Sequence, residues 1–108
     1  MRLNNIVIAC REFAAMRDFY QKLTGWPVFF ENATCCFLGA SQPYLVLNPV
    51  GPSTEVEPPE KSLCLDFEVP DLNAEAQRLQ AEGLTVTWQS GMLTLRDPAD
   101  NLIEITAG

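Results

Sequence analysis

The chain has 108 residues, 47% hydrophobic and 19% charged, which suits one compact domain with a modest core. Its 14 acidic residues against 7 basic give a net charge of -7, which repels phosphate backbones and anionic membrane leaflets and argues against nucleic acid or membrane as partners. Histidine is absent from the sequence, which removes the commonest general base and the commonest metal ligand.

Residues 3 to 9 read as a strand, and residues 12 to 24 as a helix with Phe13, Met16, Tyr20 and Leu23 on one face and Gly25 at its end. Extended runs follow at 26–31, 34–39 and 44–48, divided by Asn32-Ala33 and by Ser41-Gln42-Pro43. Residues 49–61 hold four prolines and almost no large apolar side chain, so they are excluded from a sheet centre and read as a linker. Beyond them come a strand at 63–69, a helix at 71–82 with Leu72, Ala76 and Leu79 inward, a stop at Gly83, and strands near 85–89, 91–96 and 101–106. In "RDPADN", Pro98 fixes its own φ while Asp97, Asp100 and Asn101 tolerate turn geometry, so the chain reverses before the last strand. No apolar run approaches the roughly 20 residues of a membrane span. The N-terminus has no basic segment followed by a long apolar stretch, so a cytoplasmic protein is expected.

Strand, acidic residue (Glu12, then Asp71), amphipathic helix and terminal glycine (Gly25, then Gly83) recur along the chain. The expected fold class is therefore α+β, a βαβββ module used twice: module 1 at 1–49, a linker at 50–61 and module 2 at 62–108. A single helix covers only one face of each sheet, so the other face must find a partner, within the chain or between chains.

Alternation along the strands assigns Ile6, Ile8, Leu45, Leu47, Leu65, Phe67, Val69, Ile103 and Ile105 to the helix-covered faces. The opposite face then collects Asn5, Val7, Tyr44, Val46, Asn48, Cys64, Asp66, Glu68, Met92, Thr94, Arg96, Leu102, Glu104 and Thr106. Val7, Val46, Met92 and Leu102 make that face too apolar to be only solvated. Trp26 is expected in the core, and Trp88 in the core or on the second face. Cys10, Cys35, Cys36 and Cys64 form no C-x-x-C pair and read as reduced, mostly packed thiols. Cys35 and Cys36 point to opposite faces. Cys64 reads as a small packed hydrophobe, since no cation close in sequence would lower its pKa.

"FYQKLTGW" at 19–26, "DFEVPDLNAEAQRLQAEG" at 66–83 and "RDPADNLIEI" at 96–105, set in a repeated βαβββ pattern, together resemble the vicinal oxygen chelate superfamily. That superfamily includes glyoxalase I, extradiol dioxygenases and bleomycin resistance proteins. The resemblance implies curved mixed sheets enclosing a cleft, and a homodimer. It also places the positions that hold a divalent ion in metal-using members at Asn5, Val46, Cys64 and Glu104, of which only Glu104 keeps the ligand type. Val46 cannot coordinate and an amide is a poor ligand, which leaves Cys64 and Glu104 where catalytic sites normally use three protein donors. No metal and no cofactor is expected.

The implied function is that of the metal-free bleomycin-resistance type, a cleft holding a small cationic or amine-bearing molecule against Asp66, Glu68 and Glu104. Two other readings stand beside it. One is a lyase, isomerase or dioxygenase of the same superfamily, using Glu104 or Asp66 as acid or base or an atypical metal site. The other is an interaction module without a small ligand. Arg96, on the same face, is able to neutralise Glu104, which would turn the preference toward a neutral or anionic ligand.

Overall fold

Regular structure forms where the apolar spacing demands it. In chain order the elements are β1 (Asn5–Cys10), α1 (Phe13–Thr24), β2 (Val28–Asn32), β3 (Cys35–Leu38), β4 (Tyr44–Pro49), β5 (Cys64–Val69), α2 (Leu72–Ala81), β6 (Thr87–Gln89), β7 (Met92–Arg96) and β8 (Leu102–Ala107). This computed structural model describes residues 2–49 and 64–108; the linker expected at 50–61 lies outside the described residues. The βαβββ order occurs twice, as the sequence pattern implies. The chain divides into two units, Met1–Pro58 and Pro59–Gly108.

In the first unit the sheet order is β1-β4-β3-β2, with β1 parallel to β4 and the remaining pairs antiparallel. Met16, Phe19, Tyr20 and Leu23 of α1 recur at i, i+3, i+4 and i+7 and are buried. They share the core with Ile8, Cys10, Cys36, Leu38, Leu45 and Leu47. Gly25 takes the left-handed conformation (φ 68°) that ends α1, and its N–H donates to the Gln21 carbonyl at 2.8 Å.

Two sequence expectations are corrected here. Phe13 lies at the margin of the helix face, half-buried, with the Arg17 guanidinium 5.9 Å from its ring centroid, and Phe19 takes the fully packed position instead. Trp26, expected in the core, is 38% exposed. It follows the helix stop, before β2 begins, and its backbone N–H donates to Thr24 Oγ1 at 3.0 Å.

The second unit repeats the scheme with sheet order β5-β8-β7-β6 and β5 parallel to β8. Asp71 caps α2, accepting from the Ala74 N–H at 3.1 Å; Glu12, its counterpart before α1, makes no such side-chain bond. Ala76 and Leu79 of α2 share a core with Leu65, Leu93, Leu95, Ile103 and Ile105. Ser90 and Gly91, both at positive φ (52° and 79°), close the β6–β7 hairpin. Trp88 pairs with Leu93 from the last strand of the sheet and stays 50% exposed.

Candidate functional site

Each unit has one sheet face turned away from its helix, and the predicted site residues divide between the two faces. On the first unit, cross-strand pairing aligns Val7, Val46, Phe37 and Phe30 in one row, with Asn5 beside Tyr44 in the next. Asn48 is half-buried opposite Ala9. Val46 lies mid-sheet and is only 3% exposed, whereas Val7 on the outer strand is 54% exposed.

Sequence reasoning placed Tyr44 on this face but missed Phe29, Phe30 and Phe37. A register irregularity between Val28 and Phe30 sets two residues of β2 against one of β3. The phase of alternation slips by one, so Phe29 and Phe30 both lie on the face away from α1. Phe29 stacks on Tyr44 (centroids 4.7 Å, 19° between planes), and Phe37 meets both Phe30 and Tyr44 edge to face, at 6.2 and 5.9 Å. Alternation through "TCCFLG" was the available signal for Phe37, opposite in phase to the buried Cys36. On the other side of β2, Glu31 accepts from Arg17 Nη1 at 2.9 Å, tying the strand to α1.

Asn5 raises a further question of satisfaction. Its Oδ1 is buried and has no hydrogen-bond partner, the one such side-chain atom among the described residues. A buried acceptor left alone carries a desolvation cost that most proteins avoid.

On the second unit, Thr87, Thr94, Glu104 and Asp66 form one row across the sheet. Asp66 and Glu104 stand directly side by side on the parallel strands β5 and β8. Thr94 is 8% exposed and its hydroxyl donates to the Thr87 carbonyl at 3.4 Å. Cys64, Leu102 and Arg96 make the adjacent row. Cys64 is exposed, which corrects its reading as a packed hydrophobe; it opens the outermost strand of its sheet. Its thiol pKa is raised, first by local desolvation and then by the negative charges of Glu104 and Asp66, with Arg96 opposing. These four side chains therefore share one electrostatic neighbourhood. Glu68, farther along β5, lies against Gly108.

Arg96 does not pair with Glu104. Its guanidinium bonds the Asp100 carbonyl through Nη1 at 3.2 Å and approaches the Asp100 carboxylate through Nε at 4.0 Å. Asp100 holds a left-handed φ of 69° in a turn organised by Asp97. The buried Asp97 carboxylate accepts from the Ala99 N–H (2.9 Å), the Asn101 N–H (2.9 Å) and Asn101 Nδ2 (2.8 Å). The "DPADN" motif thus aims Arg96 out of the carboxylate row.

The positions that the resemblance assigns to a metal fit a divalent ion poorly. On the first unit they offer the Asn5 amide and the alkyl side chain of Val46, and on the second the Cys64 thiol and Glu104. Among the described residues no group of three Cys, Asp or Glu side chains is close enough to hold a metal ion. Chemically, the second face can attract a cation through two adjacent carboxylates, and the first can present ring faces to an apolar group.

A repeated βαβββ fold with a helix on one face of each sheet defines the architecture of glyoxalase-like proteins of the vicinal oxygen chelate superfamily. The chain belongs to the Glyoxalase-like domain family, which matches residues 5–106. Solved structures of the same fold include a glyoxalase/bleomycin resistance protein/dioxygenase family enzyme from Burkholderia phytofirmans PsJN, with 18% identity, TM-score 0.75, and 99% of this chain and 98% of that one covered. TnmS3, an antibiotic binding protein from Streptomyces sp. CB03234, is 19% identical with TM-score 0.74, covering 99% and 95%. Lactoylglutathione lyase from Agrobacterium tumefaciens is 18% identical with TM-score 0.71, covering 99% and 93%. No curated protein matches the sequence. At these identities the likeness establishes the fold.

Proposed function

We propose that this protein binds a small cationic or amine-bearing organic molecule without a metal, with Asp66 and Glu104 as the counter-charges, and that it acts as a cytoplasmic homodimer. The observation that carries the reading is the pairing of Asp66 with Glu104 on adjacent strands, while the nearby cation, Arg96, is engaged by Asp100. Like charges side by side in a sheet are destabilising, so such a pair on the face turned away from the helix makes sense if a positive group sits over it. The antibiotic binding protein among the structural neighbours shows that the fold serves sequestration in that protein, as the lyase shows that it serves catalysis in another. The net charge of -7 adds a long-range attraction for cations.

A thermal-shift screen of alkylamines and aryl amines against neutral isosteres tests the reading. Amines are expected to raise the melting temperature and the isosteres to leave it unchanged. Glu104→Gln keeps shape and hydrogen-bonding capacity but removes the charge, so affinity for a positive hit should fall by about 1.5–3 kcal/mol, the range for hydrogen bonds to charged groups. Equal binding of amines and isosteres, or an unchanged affinity in Glu104→Gln, would overturn the proposal.

A further inference from the structure

A cation stands within reach of Glu104, and the turn before β8 holds it back. Across the β7–β8 register Thr94 pairs with Glu104 and Arg96 with Leu102, so Arg96 is on the diagonal from Glu104 and on the same face of the sheet. Diagonal positions lie about 7–8 Å apart, a span that a long side chain crosses. The Cys64 thiol senses Glu104, Asp66 and Arg96 together, which puts the cation inside the field of the carboxylate pair. Two side-by-side carboxylates draw such a cation more strongly than one does. Arg96 nevertheless turns to Asp100, four residues on, whose carbonyl accepts from Nη1 at 3.2 Å and whose carboxylate lies 4.0 Å from Nε. Both side chains of that pair are exposed, and exposed pairs are weakly held. The position of Arg96 is therefore a close balance between two sets of acceptors.

Asp100 has the means to tip it. Its φ of 69° belongs to the left-handed region, which asparagine and aspartate tolerate better than most side chains. Asparagine would serve the turn equally well and keep the same backbone carbonyl. What the aspartate adds is a charge directed at Arg96. We infer that Asp100 is a positioning residue: it keeps Arg96, a built-in competitor, off Glu104 and so leaves the Asp66–Glu104 pair open to an external cation. The inference deepens, and rests on, the reading that this pair receives a cationic ligand. Asp100 acts without touching that ligand. Once its charge is removed, Arg96 settles on Glu104, and an incoming amine must displace it.

Asp100→Asn tests this, because the turn geometry survives the change; Asp100→Gly, which also accepts a positive φ, is the second variant, and circular dichroism checks that both fold. One readout needs no ligand. The Arg96 side-chain Nε–Hε correlation, assigned in the ¹⁵N-labelled chain by its loss in Arg96→Gln, is compared with and without Glu104→Gln. It should stay in place when Glu104→Gln is made in the wild-type chain and move when the same change is made in Asp100→Asn, where Arg96 has changed partners. The other readout is affinity for benzylamine at about 0.15 M sodium chloride, where distant exposed charges are screened. Asp100→Asn is expected to weaken benzylamine roughly 5- to 10-fold, the factor for Arg96 occupying Glu104 in about 80–90% of molecules. In the Arg96→Gln background the same substitution should change affinity by less than about 2-fold, since the residue it acts through is gone. The inference is overturned if the Nε–Hε correlation responds to Glu104→Gln in both backgrounds or in neither, if benzylamine binds the wild type and Asp100→Asn alike, or if the loss in Asp100→Asn persists in Arg96→Gln. A correlation that changes partners as expected in a chain that does not bind benzylamine would uphold the hold of Asp100 on Arg96 and count against the amine reading alone.

Discussion

Glu104 sits between Thr94 and Asp66 in one row of the second sheet, and its charge has opposite consequences for folding and for binding. With no ligand, removing it relieves repulsion from Asp66, so Glu104→Gln is expected to raise the stability of the free protein by about 0.2–1 kcal/mol while weakening amine binding. Urea denaturation checks the first effect, and a variant that loses stability would show that Glu104 is held by favourable contacts. Cys36 gives a second test at this scale. It is buried under α1, and desolvation, then a hydrogen bond and charge repulsion from Glu31, push its thiol from the ordinary 9.0 up to about 11, with Arg17 opposing. A folded-state pKa that is raised favours the neutral thiol in the native protein. Its contribution to stability is therefore complete below pH 9 and is lost as pH rises toward 11. The melting temperature should fall across that interval, and Cys36→Ala should flatten the fall; an identical slope in both proteins would remove Cys36 as the cause.

At the scale of elements, the turn before β8 converts a sequence motif into a direction. Asp97 accepts three bonds from Ala99 and Asn101, and this geometry places Asp100 where it holds Arg96. Asp97→Ala leaves those donors unpaired in a buried turn and should cost about 3 kcal/mol, the upper range for a hydrogen bond to a charged group. It should also free Arg96 to approach Glu104, and so lower affinity for amines by more than the stability loss alone accounts for. Chemical denaturation together with amine titration separates the two; a turn variant with unchanged stability would contradict the role given to Asp97. Helices, strands and the helix-covered cores were legible in the sequence because burial imposes a period: Met16, Tyr20 and Leu23 on α1, Leu45 and Leu47 on β4, Ile103 and Ile105 on β8. Tyr44 was legible on the helix-free face, but Phe29 and Phe30 together were not. One extra residue in β2 inverts the alternation, and the composition around Phe29 and Phe30 does not announce it. Exposure of Cys64 was equally hidden, because it depends on β5 lying outermost in the order β5-β8-β7-β6, which strand periodicity does not encode. The engagement of Arg96 by Asp100 required the turn geometry itself.

At the scale of the whole molecule, the proposed homodimer would have to form against its own electrostatics. Each chain carries -7, so two copies repel, and apolar burial has to supply the attraction. Trp26 at 38% exposure, Val28 at 39% and Trp88 at 50% offer apolar surface besides Phe29 and Phe30. If burial of such groups drives association, salt screens the repulsion and leaves the attraction intact, so dimerisation should tighten as ionic strength rises. An interface held together mainly by ion pairs would loosen instead, because the same screening would act on its attraction. Light scattering at micromolar protein should therefore give twice the 12.0 kDa chain mass, and sedimentation equilibrium at 0.05 and 0.5 M sodium chloride should give the tighter dimer at the higher salt. A mass of 12.0 kDa at both salts would rule out the dimer. A dimer that dissociates with added salt would keep the assembly but replace the apolar interface with a charged one, in which the few basic side chains of this acidic chain would have to be the contacts.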